Sequence, residues 1–164
     1  MEGNELSRLI ERLKGSFLTR AEGVAACRVY TSVDLTIATA TTTALLWNTE
    51  LNNAAGMHST SVNSSRMTIQ TPGWYEFGAS LEWESNAVGN RYIFFTLTGT
   101  VISTDAKVAF ANMTHSAGSG YWCSATDYVE CKVYQNSGGA LKVRNAAGAV
   151  FSGMSANFWC AKKP

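Results

Sequence analysis

The sequence predicts an all-β fold, an antiparallel sandwich or barrel of about ten short strands preceded by one short amphipathic helix. Three observations predict it. From Trp74 to Glu84, Tyr75, Phe77, Ala79, Leu81 and Trp83 are apolar on one parity, while Glu76, Ser80, Glu82 and Glu84 are polar on the other. That period of two marks a strand with one buried face. Turn chemistry then punctuates the chain at Asn52-Asn53, Pro72-Gly73, Val88-Gly89-Asn90, Ser116 to Gly120 and Ser137-Gly138-Gly139. Finally, no helical periodicity of useful length follows Cys27, which leaves no crossover helices for a parallel sheet.

The helix comes first. Glu5 to Lys14 carries Leu6, Leu9, Ile10 and Leu13, an i, i+3, i+4, i+7 stripe that continues past Gly15 to Phe17 and Leu18. A helix of that length is marginal alone in water, so its stripe needs a partner: its own sheet, sister copies or another protein. Thr19 to Ala26 is small, polar and linker-like, and residues 1–26 therefore read as an anchor ahead of a single domain at 27–164.

Candidate strands follow at Cys27–Tyr30, Leu35–Ala38, Thr43–Asn48, Ser65–Gln70, Trp74–Glu84, Arg91–Thr98, Lys107–Ala111, Tyr121–Ala125, Tyr128–Gln135, Leu141–Arg144 and Gly153–Cys160. Parity assigns the core. Tyr75, Phe77, Leu81 and Trp83 point inward from one strand, Val129 and Val133 from another, and Phe158 from the last. Arg91–Thr98 differs, because Ile93, Phe95 and Leu97 alternate with Tyr92 and Phe94, making both faces apolar at its start. One of those faces needs a cover, and another subunit would supply it.

Composition bounds the function. Of 164 residues, 46% are hydrophobic and only 15% charged, enough for a core under a surface rich in Ser, Thr, Asn and Gly. The net charge of +1 offers no footprint for nucleic acid. No apolar run approaches the ~18 residues of a membrane span, and the charged N-terminus does not read as a secretory signal, so assembly in the cytoplasm is expected. Cys27, Cys123, Cys131 and Cys160 lack metal-site spacing and read as buried thiols, with a Cys27–Cys160 bridge as the disulfide alternative.

Four segments in order, Gly56 to Glu84, Gly89 to Thr100, Asp127 to Leu141 and Val150 to Ala161, resemble the complement-one-q and tumour-necrosis-factor jelly-roll superfamily, and within it the versions found in tailed-bacteriophage structural proteins. The matching positions are Pro72 to Tyr75, Asp127-Tyr128-Val129 and Phe151-Ser152-Gly153. The resemblance implies a jelly roll that trimerises about a threefold axis, with one sheet lining the axis and loops at the apex. Collagen-like repeats, common upstream in the animal relatives, are absent from this sequence, which favours the phage version. The expectation is therefore a homotrimeric, non-enzymatic virion knob, a head fibre, decoration or spike. Leu6, Leu9, Ile10, Leu13 and Phe17 would hold it to a capsid, neck or tail protein. Trp74, Glu76, Glu82, Tyr92, Phe94 and Trp159 are the candidates for the trimer interface. The rival expectation is a tail-tip adhesin that grips a receptor or host-surface glycan through apical loops such as Asn86 to Asn90 and Ser116 to Gly120.

Chemistry is otherwise sparse. Glu76, Glu82 and Glu84 share a parity, as paired glycosidase carboxylates would, but they also suit a polar or axis-facing surface. His58 and His115 fit no triad or metal spacing, and Asp34, Asp105 and Asp127 are too scattered for a calcium loop, so no metal or cofactor is expected. Asn63 and Asn112 head formal glycosylation motifs that a cytoplasmic chain would not use. Trp74, Trp122 and Tyr134 could stack on sugar rings, although packing in a core or trimer interface is the commoner fate of sheet aromatics.

Overall fold

The computed structural model describes residues 25–145 and 156–164. Among these the chain forms twelve strands: β1 (Ala26–Tyr30), β2 (Leu35–Ile37), β3 (Thr43–Ala44), β4 (Thr49–Asn52), β5 (Arg66–Thr68), β6 (Gly73–Glu82), β7 (Asn90–Leu97), β8 (Thr100–Val108), β9 (Thr114–Cys123), β10 (Tyr128–Gln135), β11 (Leu141–Val143) and β12 (Asn157–Lys162). They make two five-stranded sheets. Sheet one runs β4-β1-β12-β6-β9; sheet two runs β3-β10-β7-β8, with β5 also on β10; β11 and β2 form a separate ribbon. The paired strands are antiparallel. The N-terminal helix expected from the sequence lies outside the described residues.

The alternation of β6 and β10 builds the core. Tyr75, Phe77, Leu81, Trp83, Val129, Val133 and Phe158 are all buried, together with Ile93 and Phe95. Rings from both sheets meet in the middle: Phe95 lies 5.2 Å edge-on from Phe77 and 6.2 Å in a stack from Phe158, which stacks at 5.9 Å on Trp47. Apolar area removed from water in this way is the main favourable term for the domain.

Three expectations are corrected. The predicted strand at Thr43–Asn48 is strand only at Thr43–Ala44, because β3 belongs to sheet two and β4, which starts at Thr49, to sheet one, so the chain between them crosses from sheet to sheet. Its inward Leu45 and Trp47 stay buried, with their amides given to Cys131 and Ser64 carbonyls. The predicted turn at Ser116 to Gly120 is instead the middle of β9. The strand predicted at Lys107–Ala111 begins earlier, at Thr100, after a turn in which Thr98 and Gly99 both take positive φ, 47° and 86°. Consecutive left-handed residues are the usual two-residue hairpin solution, and Thr-Gly carries a weaker signal for it than Asn-Gly. The last strand runs from Asn157 to Lys162, and residues 146–155 are not described.

The sandwich has two distinct ends. Ala25, the turn at Thr98-Gly99, the loop Ser124–Asp127 and Lys163 lie at one, where Lys162 N bonds Ala25 O and Lys163 N bonds Trp74 O. We call it the tail end. The loops at Thr31–Asp34, Asn86–Gly89 and Ala109–Met113 lie at the other, the far end, where Thr31 N bonds Ala156 O and Ala109 N bonds Gly89 O.

Candidate assembly face

The outer face of sheet one is floored by small residues. Antiparallel register sets Gly78 opposite both Trp159 and Gly118, Ser80 opposite both Asn157 and Ser116, and Glu76 opposite Gly120. Two indoles use that floor. A methyl group at Gly78 would come within 2.8 Å of the Trp159 ring, and one at Gly120 within 3.0 Å of the Trp74 ring, so each indole lies against the backbone of the neighbouring strand. Glycine is required here by close approach rather than by φ. An open groove of about 630 Å³ runs beside Trp159, lined by Arg28, Ser80, Ser116, Gly118 and Asn157, and a second of about 360 Å³ separates Trp159 from Trp74. Ser80 and Ser116 hydroxyls bond each other at 2.9 Å, and Arg28 reaches Asn157 Oδ1 at 3.4 Å.

The six interface candidates do not share one surface. Trp74, Glu76 and Trp159 lie on the outer face of sheet one, with Trp74 47% exposed and Glu76 paired to Lys163 at 2.9 Å. Tyr92 and Phe94 lie on sheet two, where they stack on one another at 5.9 Å and Tyr134 meets Tyr92 edge-on at 5.5 Å. Their own sheet supplies part of the cover expected from a subunit. Glu82 is corrected outright: it is 2% exposed within one chain. Its parity is outward, but Lys142 to Arg144 run alongside that end of β6, where Arg144 N bonds Glu82 O at 2.8 Å and Val143 bridges to Trp83. Parity counts faces and not what covers them.

The remaining polar residues are absorbed locally. Glu84 pairs with Arg144 at 3.2 Å, Arg144 with Asp34 at 3.3 Å, and Asp127 accepts from Thr98 Oγ1 and Ser124 N. His58 faces Glu50 Oε1 at 2.9 Å and Ser64 O at 3.1 Å in the loop before β5. Asn63 and Asn112 occupy left-handed turn positions, φ 51° and 55°, which asparagine tolerates. Among the described residues, no group of three or more His, Cys, Asp or Glu could hold a metal ion.

All four cysteines are free and buried. Cys27 and Cys160 sit opposite one another, but the bonds at Ala25–Lys162 and Thr31–Ala156 make theirs a hydrogen-bonded pair by two-residue alternation. Such pairs hold their Cα atoms about 5.5 Å apart with splayed side chains, whereas a bridge needs Cβ atoms within about 4.5 Å. Burial pushes the Cys27 thiol up to about 12 and Cys123 up to about 11, and raises Cys131 and Cys160 as well. A thiol-titrating reagent is therefore expected to find none of the four in native buffer and all four in denaturant.

His115 spans the open side of the sandwich. It is fully buried on β9, and its Nε2 bonds Asp105 of β8, which tethers the free edge of sheet one to that of sheet two. Nδ1 has no partner. Burial lowers the His115 pKa below its usual 6.5, outweighing the upward pull of Asp105, while Lys107 adds to the lowering. The unfolded chain then binds the extra proton first, so this contribution to stability is complete above about 6.5 and is lost as pH falls from there through the folded value. His115→Gln, which retains a donor for Asp105, is expected to flatten the fall in melting temperature between pH 7 and pH 5; an unchanged slope would assign the acid sensitivity elsewhere.

With this geometry in view, comparison with solved structures is direct. The fold is that of the C1q and tumour-necrosis-factor jelly rolls. The globular domain of zebrafish complement 1qA aligns with a TM-score of 0.57 at 15% identity over 85% of this chain and 98% of that one. Murine APRIL aligns at 0.61 and 9% identity over 86% and 100%, and Eiger TNF from S. frugiperda at 0.57 and 11% over 86% and 93%. No protein-family model and no curated protein matches the chain. Sequence reasoning missed Gly78, Gly118 and Gly120 as the floor of the face. The available signal was the run Ser116-Ala117-Gly118-Ser119-Gly120 directly before Tyr121-Trp122, too long for a tight turn.

Proposed function

We propose that the chain is a non-enzymatic structural protein of a tailed-phage virion, a homotrimeric jelly-roll knob held to capsid, neck or tail through the segment that precedes Ala25. The observation that carries the trimer is the outer face of sheet one, with its glycine and serine floor, the half-exposed Trp74 indole and the open groove beside Trp159. Packing a sister subunit there would bury aromatic area against a flat partner at little cost in charge. The polarity of the sandwich supports the attachment: the chain enters β1 at the tail end, opposite the loops of the far end. The ordered sequence motifs support the virion setting.

Gly118→Arg tests the trimer. A β-carbon at Gly118 would meet only Phe77 O at an ordinary 3.5 Å, so the variant should fold while its side chain obstructs the face. Light scattering is expected to give a three-chain mass for the wild type and a one-chain mass for the variant; a monomeric wild type at micromolar concentration would sink the trimer. Mass spectrometry of purified particles is expected to detect the chain on the virion surface, and its absence would remove the virion role. Val33, Val88 and Phe110, all more than half exposed at the far end, favour a second reading as a receptor- or glycan-binding tip. Saturable binding on a glycan array, abolished by substitutions there, would promote it.

A further inference from the structure

Arg28 is the one charged residue that lines the open groove beside Trp159. Cys27 and Val29 on either side of it are buried, so its side chain leaves the outer face of sheet one, in a row with Trp159, Gly78 and Gly118 on the next three strands. At about 630 Å³ the groove is of a size that holds small molecules. Its other polar side chains, Ser80, Ser116 and Asn157, are neutral. Asn157 Oδ1 accepts from Arg28 at 3.4 Å, a long bond, and the 2.9 Å contact between the Ser80 and Ser116 hydroxyls uses only one of their two protons. The groove is therefore rich in donors and carries no negative charge.

Covering this face changes the balance. In a single chain the N–H groups of the Arg28 guanidinium are hydrated, and a sister subunit packed over the groove removes that water from every copy at once. The chain has no carboxylate to give in return. Glu76 of the same face holds Lys163, Asp34 and Glu84 hold Arg144, and Glu50 and Asp105 hold His58 and His115. Asp127 accepts from Thr98 and Ser124 in its own turn, Glu130 lies against Lys132, and Glu82 is 2% exposed and engaged within the chain. Among the described residues every side-chain carboxylate thus has a partner already, and the counter-charge for Arg28 has to come from solution.

We propose that the groove binds a small oxyanion of the phosphate or sulfate class, held by Arg28 with a hydroxyl of Ser80 or Ser116, and that this anion is a component of the trimer interface. The planar guanidinium fork matches two oxygens of such an anion, and the Trp159 indole walls the site. The inference rests on the trimeric reading, because an isolated chain leaves Arg28 in water, where an exposed ion pair is worth little.

The test follows the monomer–trimer equilibrium of the full chain by light scattering across a dilution series, at constant ionic strength, in chloride alone and with inorganic phosphate added. Phosphate is expected to lower the chain concentration at which the trimer dissociates by about tenfold. Arg28→Gln removes the buried charge and the fork together. That variant is expected to lose the phosphate response and to remain trimeric at least as far down the series as the phosphate-free wild type. A wild-type trimer indifferent to phosphate, or a response that survives in Arg28→Gln, would overturn the anion site and leave the trimer standing. Dissociation of Arg28→Gln in both buffers alike would assign Arg28 a direct contact with the sister chain and overturn the site as well. A wild type that is monomeric at every chain concentration, with and without phosphate, would refute the trimer and the interface site with it.

Discussion

Phe158→Ala is expected to lower the unfolding free energy by about 3–5 kcal/mol, the range for truncating a buried aromatic, which is a large share of the ~5–15 kcal/mol that holds a domain together. Phe158 has no solvent exposure and is the ring through which Trp47 and Phe95 communicate, at 5.9 and 6.2 Å. Trp47 belongs to the crossover between the sheets, Phe95 to sheet two and Phe158 to sheet one, so the cavity would open where all three meet. None of them can follow the missing ring without leaving its own strand or its neighbours. Denaturant titration at one fixed chain concentration measures the change, since any association would itself add to apparent stability. A loss under about 1 kcal/mol would mean that the two sheets can collapse onto the vacancy, which the close packing of interiors argues against.

Arg91→Met is expected to cost about 2–4 kcal/mol and to loosen the loop Asn86–Asn90. Arg91 is inward-facing on β7 and fully buried, and its guanidinium donates to the carbonyls of Val88, Asn90 and Asn86 at 3.1, 3.1 and 3.2 Å. Trp83 lies 5.5 Å away under the cation. Among the described residues no carboxylate pairs with it, and burial alone lowers its pKa. Two effects therefore oppose one another. Removing the cation abolishes three charge-assisted bonds that shape the loop, but it also relieves a desolvated charge, which keeps the net cost below the sum of the bonds. Arg91→Lys retains the charge without the planar fork and is expected to recover less than half of the loss. Hydrogen exchange of the Val88 to Asn90 amides reports the loop separately from global unfolding. If both variants matched the wild type, the guanidinium would be a passenger in its pocket.

Much of the sandwich was legible because parity is a local property. Tyr75, Phe77, Leu81 and Trp83 needed only their own strand to declare a buried face, and Val129, Cys131 and Val133 likewise. What escaped depends on neighbours across the sheet. Ser116 to Gly120 reads as a turn in isolation, because glycine and serine are turn formers; only the Trp74 indole lying over Gly120 explains why a strand tolerates them. Glu82 reads as solvent-facing because nothing in β6 reveals that Lys142 to Arg144 pair alongside its end. Tyr92 and Phe94 announced an apolar outer face, and the sequence signal could not say that Tyr134 of the adjacent strand partly serves it. The candidate face was half visible, through Trp74 and Trp159, and its floor was not.

The register Cys27↔Cys160 has a consequence in time. The second residue of β1 waits for a partner more than a hundred residues later in the chain, and β12 also joins β1 to β6 at the centre of sheet one. During synthesis that sheet cannot assemble until the last strand has cleared the ribosome, since β1 and β6 have no contact of their own in the strand order. Sheet two, built from β3, β7, β8 and β10, is complete in sequence by Gln135 and can form earlier. A nascent chain would then carry a half-sandwich with its apolar inner face open until β12 emerges, a period of exposure set by translation rate. Chains cut before Asn157, which lack β12, should therefore fail at the step of production, well before any question of assembly arises.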